Sequence, residues 1–124
     1  MWQEIDKALD AYNEAAAGKY NHRRIAITMR ERGKIVAGVL AETYFDWMYV
    51  RLLWVADRRR GRGWGRKLIA KAEAEALRLG VRNVWLDSFT FQAPDFYKKL
   101  GYREFGRLKD YPAGHDRVFL AKAL

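Results

Sequence analysis

The residues best suited to chemistry in this 124-residue chain lie in one basic, glycine-rich stretch, Arg60-Gly61-Arg62-Gly63-Trp64-Gly65-Arg66. Glycines let a backbone turn tightly and point successive N–H groups outward. A helix beginning at such a turn adds roughly half a positive charge and unpaired donors. Arg58, Arg59, Arg60, Arg62 and Arg66 surround the turn. The combination is a cradle for a diphosphate. Two familiar phosphate patterns do not fit it. No Gly-Lys-Ser/Thr follows at the P-loop spacing, and glycines at 61, 63 and 65 do not match G-x-G-x-x-G.

Absences narrow the chemistry further. With no cysteine, the chain has no disulfide, no cysteine nucleophile and no thiolate metal ligand. The only histidines, His22 and His115, are far apart in sequence, which argues against a zinc site. The single serine, Ser88, sits in Leu86-Asp87-Ser88-Phe89-Thr90 without the glycine-flanked elbow of a hydrolase. What remains is catalysis by positioning, backbone dipoles and modest acid–base help. The net charge of +9 and pI near 10.0 favour a polyanionic partner, either a nucleic acid or a phosphate-rich cofactor.

The elements that must position these residues are legible in the periodicity. Residues 2–17 place Ile5, Leu9, Tyr12 and Ala16 at helical spacing, with Gly18 as a stop. Residues 24–30, 35–43 and 47–55 read as strands, with Gly38 as a bulge or close-approach point in the second. Residues 66–79 are a helix with Leu68, Ile69, Ala72, Ala76 and Leu79 on one face. A strand over 81–88 follows, then a short helix over 93–100 opened by Pro94, then strands over 102–108 and 117–124. This order predicts an α/β (α+β) layer with a mixed sheet, in a single domain spanning 1–124. Strand 47–55, helix 66–79 and strand 81–88 form one βαβ crossover, so those two strands are expected to be parallel. No apolar run reaches the roughly 18 residues of a membrane span, and the acidic N-terminus lacks a signal core, so a cytoplasmic protein is expected.

The spacing Arg60-x-x-Gly63-x-Gly65, between a strand and a helix, resembles the R/Q-x-x-G-x-G/A signature of the GNAT superfamily of acetyltransferases. Downstream, Ala93-Pro94-Asp95-Phe96-Tyr97-Lys98-Lys99-Leu100-Gly101-Tyr102 is similar to that family's A-x-x-F-Y-x-x-x-G-F/Y segment. The resemblance covers residues 24 to 124. It implies a mostly antiparallel sheet flanked by helices, with acetyl-CoA as cosubstrate and no metal. It also implies direct transfer of the acetyl group to a primary amine on a small molecule or protein. Pantetheine would pair with Leu53, Trp54 and Val55, and the diphosphate would rest on Arg60, Gly61, Arg62, Gly63, Trp64, Gly65 and Arg66. Tyr97 matches the family's general acid; its alternative is a core aromatic beside Phe96. The chain departs from the family in two places. Thr90 stands where many members carry an Asn that contacts the pantetheine region, and Gln92 is the candidate substitute. The family also opens with a strand, whereas this chain starts in a helix.

Candidate proton acceptors from the attacking amine are Asp87, Glu42, Glu104, His115 or water; the side chains read equally as a loop cap (Asp87), solvated strand charges (Glu42, Glu104) and a turn residue (His115). The aromatic group Tyr44, Phe45, Trp47, Tyr49 and Trp54 reads either as an acceptor pocket or as sheet core. Arg51, charged in the middle of an apolar strand, is expected to face a cleft or partner. Two other functions compete: a basic nucleic-acid-binding module and a CoA-binding regulator without catalysis. Basic residues spread along the whole chain, and the absence of any nucleic-acid-binding signature, speak against the first. The resemblance is compatible with a homodimer.

Overall fold

The computed structural model describes residues 1–124. The chain runs α1 (Trp2–Ala17), β1 (Arg23–Glu31), β2 (Lys34–Tyr44), β3 (Trp47–Val55), a 3-10 turn (Asp57–Arg59), α2 (Trp64–Arg78), β4 (Asn83–Phe89), α3 (Pro94–Lys99), β5 (Arg103–Lys109) and β6 (Asp116–Ala123). The strands form one sheet in the order β1-β2-β3-β4-β6-β5. β3 and β4 are parallel, as the crossover demands, and every other neighbouring pair is antiparallel.

Alternation decides the core. Val84, Leu86 and Ser88 of β4 point to one face, and Met48 and Val50 of β3 join them. α2 packs its Leu68–Ile69–Ala72–Ala76 stripe against this face. The sequence placed the start of this helix at Arg66. The helix in fact begins at Trp64, because Gly63 takes a left-handed conformation (φ 79°) that serves as its N-cap. At the other end Gly80 N–H donates to Leu77 O and Val81 N–H to Ala76 O, the paired bonds of a Schellman cap. Val81, expected in the strand, belongs to that cap.

One reading of local geometry is corrected. Of the two readings of Gly38 the bulge is excluded, since it pairs in register with Thr28 and Trp54; a Cβ there would stand 3.4 Å from Ile27 O of the neighbouring strand. The irregularity falls two residues on. Leu40 pairs with Leu52 and Ala41 with Val50, so Arg51 is the extra residue in β3. A bulge reverses the alternation beyond it. Leu53 and Val55 therefore pack toward the core, while Leu52 and Trp54 are exposed. α1 matches the expected helix over 2–17, but it lies apart from the core: Ile5, Leu9 and Tyr12 are 65, 56 and 70% exposed and no α1 residue is buried. Asp6 and Asp10 line a cleft shared with the sheet. No helix is long and apolar enough to cross a membrane.

Candidate active site

The parallel pair carries the site because it does not stay paired. β3 and β4 hold register only from Trp47↔Asn83 to Val50↔Leu86. Beyond that point β3 remains bonded to β2 as far as Val55, and β4 to β6 as far as Phe89. The two strands diverge, and the edge of β3 from Arg51 to Val55 has no strand partner on that side. A cavity of about 730 Å³ opens in the divergence. It is lined by β3, the glycine-rich turn, the start of α2, the end of β4 and α3. An extended ligand entering it meets a free strand edge, to which backbone pairing is available.

The turn at the mouth of this cavity is held from beneath. Arg60 Nε donates to Val55 O at 3.1 Å, and its guanidinium pairs with Asp57 at 3.1 Å. Arg59 pairs with Glu31 and stacks over the Trp64 ring at 6.0 Å. That pairing holds the Glu31 carboxyl below the usual carboxylate range, chiefly through the Arg59 hydrogen bond. Arg59 Nε is buried without a partner. The backbone bonds on either side are Arg60 N–H to Asp57 O and Lys67 N–H to Gly63 O; no amide from Gly61 to Arg66 donates to a carbonyl of the chain. No side chain caps the helix either. Gly61 and Gly63 both have φ near 80° and open space where a Cβ would stand. At Gly65, by contrast, a Cβ would lie 3.2 Å from Phe96 Cζ and 3.6 Å from Leu53 Cδ2. That glycine lets the helix start close against β3 and α3. A run of unpaired amides at a helix N-terminus, flanked by guanidinium groups, fits an oxygen-rich dianion.

Deeper in the cavity, Tyr97 and Asp87 approach from opposite faces of the sheet. Tyr97 packs edge-on to Phe96 and Tyr102. Burial, aided by the Asp87 charge, pushes its phenol up to about 12, so it keeps its proton at neutral pH. Asp87 is nearly enclosed. Oδ1 accepts from Arg117 Nε at 2.9 Å and Oδ2 from the Tyr49 hydroxyl at 3.1 Å. Burial, with the charge of Asp87, raises Tyr49. Arg117 is further fixed over the rings of Phe89, Tyr111 and Phe119 at 5.3–5.7 Å.

Of the residues singled out in the sequence, Leu53, Trp54, Val55, Arg60, Gly61, Gly63, Trp64, Gly65, Arg66, Asp87, Gln92 and Tyr97 line this one cavity. Arg62 and Thr90 do not. The Thr90 hydroxyl accepts from Asp116 N–H at 3.0 Å and lies 3.3 Å from His115 Nδ1, so it latches the end of β4 to the following loop. Gln92 Oε1 is likewise engaged, accepting from Phe89 N–H at 2.9 Å. Among the other proton acceptors considered, Glu104 is tied to Arg107 and His115 to Thr90, while Glu42 lies in a second cleft with His22. Tyr44, Phe45, Trp47 and Tyr49 line that second cleft; Trp54 lines the first. Sequence reasoning missed Arg117 and the orphaned Arg59 Nε. For Arg117 the available signal was a charge of opposite sign to Asp87 at the start of an apolar strand run, Val118-Phe119-Leu120.

Comparison with known proteins agrees with this geometry. The family model described as Acetyltransferase (GNAT) family matches residues 2–102. A blasticidin-S acetyltransferase of Streptomyces morookaense is 40% identical over 95 residues, covering 76% of this chain and 70% of that protein. The crystal structure of an acetyltransferase from Bacillus cereus superposes with a TM-score of 0.92 at 36% identity, over 98% of this chain and 90% of the other. A putative streptothricin acetyltransferase from Bacillus anthracis, solved in complex with acetyl coenzyme A, shares the fold at 17% identity (TM-score 0.72, 82% of this chain and 62% of that one). A strand pair that diverges beside a free-amide turn, and a family match that spans both, lead to one conclusion: this chain belongs to the GNAT family of acetyltransferases.

Proposed function

We propose that the protein transfers the acetyl group of acetyl-CoA directly to a primary amine. One observation carries the reading: the amides of Gly61–Arg66 are free of the chain's own carbonyls at the mouth of a cavity whose wall is an unpaired strand edge. The turn would hold the diphosphate, with Arg59, Arg60 and Arg66 beside it, and the β3 edge would hold the pantetheine arm. The thioester supplies an activated acyl group and a sulfur leaving group. Leu53 N–H is the candidate donor to the negative charge that gathers on the carbonyl oxygen, a role worth several kcal/mol when the donor is fixed beforehand.

Tyr97 serves the sulfur. A thiolate with a solution pKa of about 8.5 is too weak a base to strip a phenol raised this far. The phenol therefore donates a hydrogen bond to the departing sulfur, and as its proton moves to the sulfur its oxygen takes one from the nitrogen that attack has made acidic, so Tyr97 ends protonated. Asp87 is held by Arg117 on one oxygen and by the Tyr49 hydroxyl on the other. Its carboxylate attracts and orients the incoming ammonium, which loses one proton to water and attacks as the neutral amine.

Acetyl-CoA is expected to raise the melting temperature by several degrees. Gly63→Glu, which places a carboxylate in the cradle, is expected to abolish the rise. Thiol release in the presence of amines then reports turnover. Blasticidin S, from the name of the Streptomyces relative, is the first acceptor to try. An unchanged melting curve at millimolar acetyl-CoA overturns the proposal.

A further inference from the structure

On the far side of Asp87 lies a second cleft, between α1 and the sheet face opposite the core. We propose that this cleft binds a second cationic group of the acceptor, so that the preferred substrate is a small molecule carrying two or more cationic groups rather than a monoamine. The inference rests on the transferase reading above and names the substrate class for it.

Charge sorting is the first argument. The chain carries 24 Lys and Arg residues, yet none lines this cleft of about 870 Å³. Its charged lining is Asp6 and Asp10 from α1 and Glu42 from β2, with His22 beside Glu42 at 3.1 Å. The first cavity has the opposite character, with Arg51, Arg59, Arg60 and Arg66 against a single carboxylate, Asp87. One protein of strongly positive charge thus presents an anion site and a cation site on either side of one residue.

The second argument is the walls. Aromatic rings surround the carboxylates, and Tyr49 and Trp85 stack at 4.3 Å with 26° between their planes, making a flat floor. Ring faces attract ammonium and guanidinium groups, and more strongly where water is partly excluded. The carboxylates do not gather closely enough to hold a metal ion, so an organic cation of larger radius is the fitting occupant.

The third argument is orientation. α1 is amphipathic, and it turns Asp6 and Asp10, one helical turn apart, toward the sheet while Ile5 and Leu9 face outward. Neither aspartate is ion-paired with any side chain of the protein.

The cleft and the reaction cavity are joined. Tyr49 forms part of the cleft floor, and its hydroxyl donates to Asp87 in the first cavity at 3.1 Å. Trp85 and Asp87 are two residues apart on one face of β4, about 7 Å. A diamine with its charges roughly five or six bonds apart spans that distance.

Calorimetric titration of the whole chain saturated with coenzyme A tests this, with 1,4-diaminobutane and n-butylamine as probes. The diamine is expected to bind at least tenfold more tightly. Glu42→Gln and Asp10→Asn are each expected to remove most of that difference, leaving n-butylamine binding and the acetyl-CoA melting shift in place. Equal affinity for the two amines, no measurable binding of the diamine, or a difference that survives both substitutions overturns the proposal. Loss of the acetyl-CoA shift in the unsubstituted chain would instead sink the transferase reading, and this inference with it.

Discussion

Tyr49 and Asp87 meet across the seam where β3 and β4 stop pairing, the hydroxyl donating to Oδ2 at 3.1 Å. Arg117, from β6, takes the other carboxylate oxygen. Three strands are thereby linked at the point where the sheet opens. The link fixes a carboxylate in the cavity with both of its oxygens engaged.

Two substitutions separate these partners. Tyr49→Phe removes one neutral donor, which is expected to cost about 1 kcal/mol of stability. Arg117→Met leaves a mostly buried carboxylate without its cation. With Arg117 itself partly exposed, that loss is expected at about 2–3 kcal/mol, below the range for fully buried pairs. Urea denaturation of both variants measures the order. A smaller loss for Arg117→Met than for Tyr49→Phe would contradict the account of Asp87.

Tyr97 makes a prediction in pH. Its pKa in the folded protein is raised to about 12 by burial and then by Asp87, above the unfolded value of about 10. A raised pKa contributes stability that is complete below the unfolded value and is lost as pH climbs through the folded one. Melting temperature should therefore decline between about pH 10 and 12, and Tyr97→Phe should decline less over that window. The same variant is expected to lower kcat about a hundredfold while the acetyl-CoA melting shift persists. A kcat within threefold of the parent would remove Tyr97 from the chemistry.

Much of this arrangement is legible from local pattern. The bounds of α1 and β3 follow from helical spacing and from a dense aromatic and β-branched run, and the cradle follows from glycines beside a helix start. What escaped is set by pairing between distant segments. The bulge at Arg51 exists only in register with β2, and an arginine within a strand does not announce it. The Asp87–Arg117 pair, 30 residues apart, depends on β6 lying next to β4, with Phe89 opposite Arg117. No periodicity encodes that neighbour. The facing of α1 is similar: its amphipathic spacing is legible in the sequence, but which side of it turns to the sheet is not.

The Arg59–Glu31 pair anchors the turn to β1 and yields a second pH dependence. Glu31 is depressed below its ordinary 4.5, chiefly by the Arg59 hydrogen bond. A depressed pKa contributes stability that is present above the unfolded value and is lost as pH falls through the folded one. Glu31→Gln should thus melt below the parent at pH 7, and the gap should close as pH drops below the carboxylate range. Both groups are partly solvated, so the gap is expected to be small and to shrink in high salt. A gap that is constant down to pH 3 would show that the pair does not hold the turn.

Gly63 and Gly65 fail for different reasons when substituted, which lets the cradle be tested from two sides. At Gly63 a methyl meets open space but must accept φ 79°; Gly63→Ala is expected to cost about 1–2 kcal/mol of backbone strain. At Gly65 the backbone is ordinary, and the added Cβ stands 3.2 Å from the tip of the Phe96 ring. Gly65→Ala forces that ring or the helix to shift by a few tenths of an ångström, and Phe96 is the neighbour of Tyr97. Pairing Gly65→Ala with Phe96→Leu removes the ring tip, and the double variant should regain part of the acetyl-CoA affinity lost in the single one. The same Phe96→Leu change combined with Gly63→Ala should restore nothing. Melting shifts of the four variants with acetyl-CoA decide it: equal rescue at both positions would show that the two glycines serve one backbone requirement, and that the close approach of α2 to α3 is not what shapes the site.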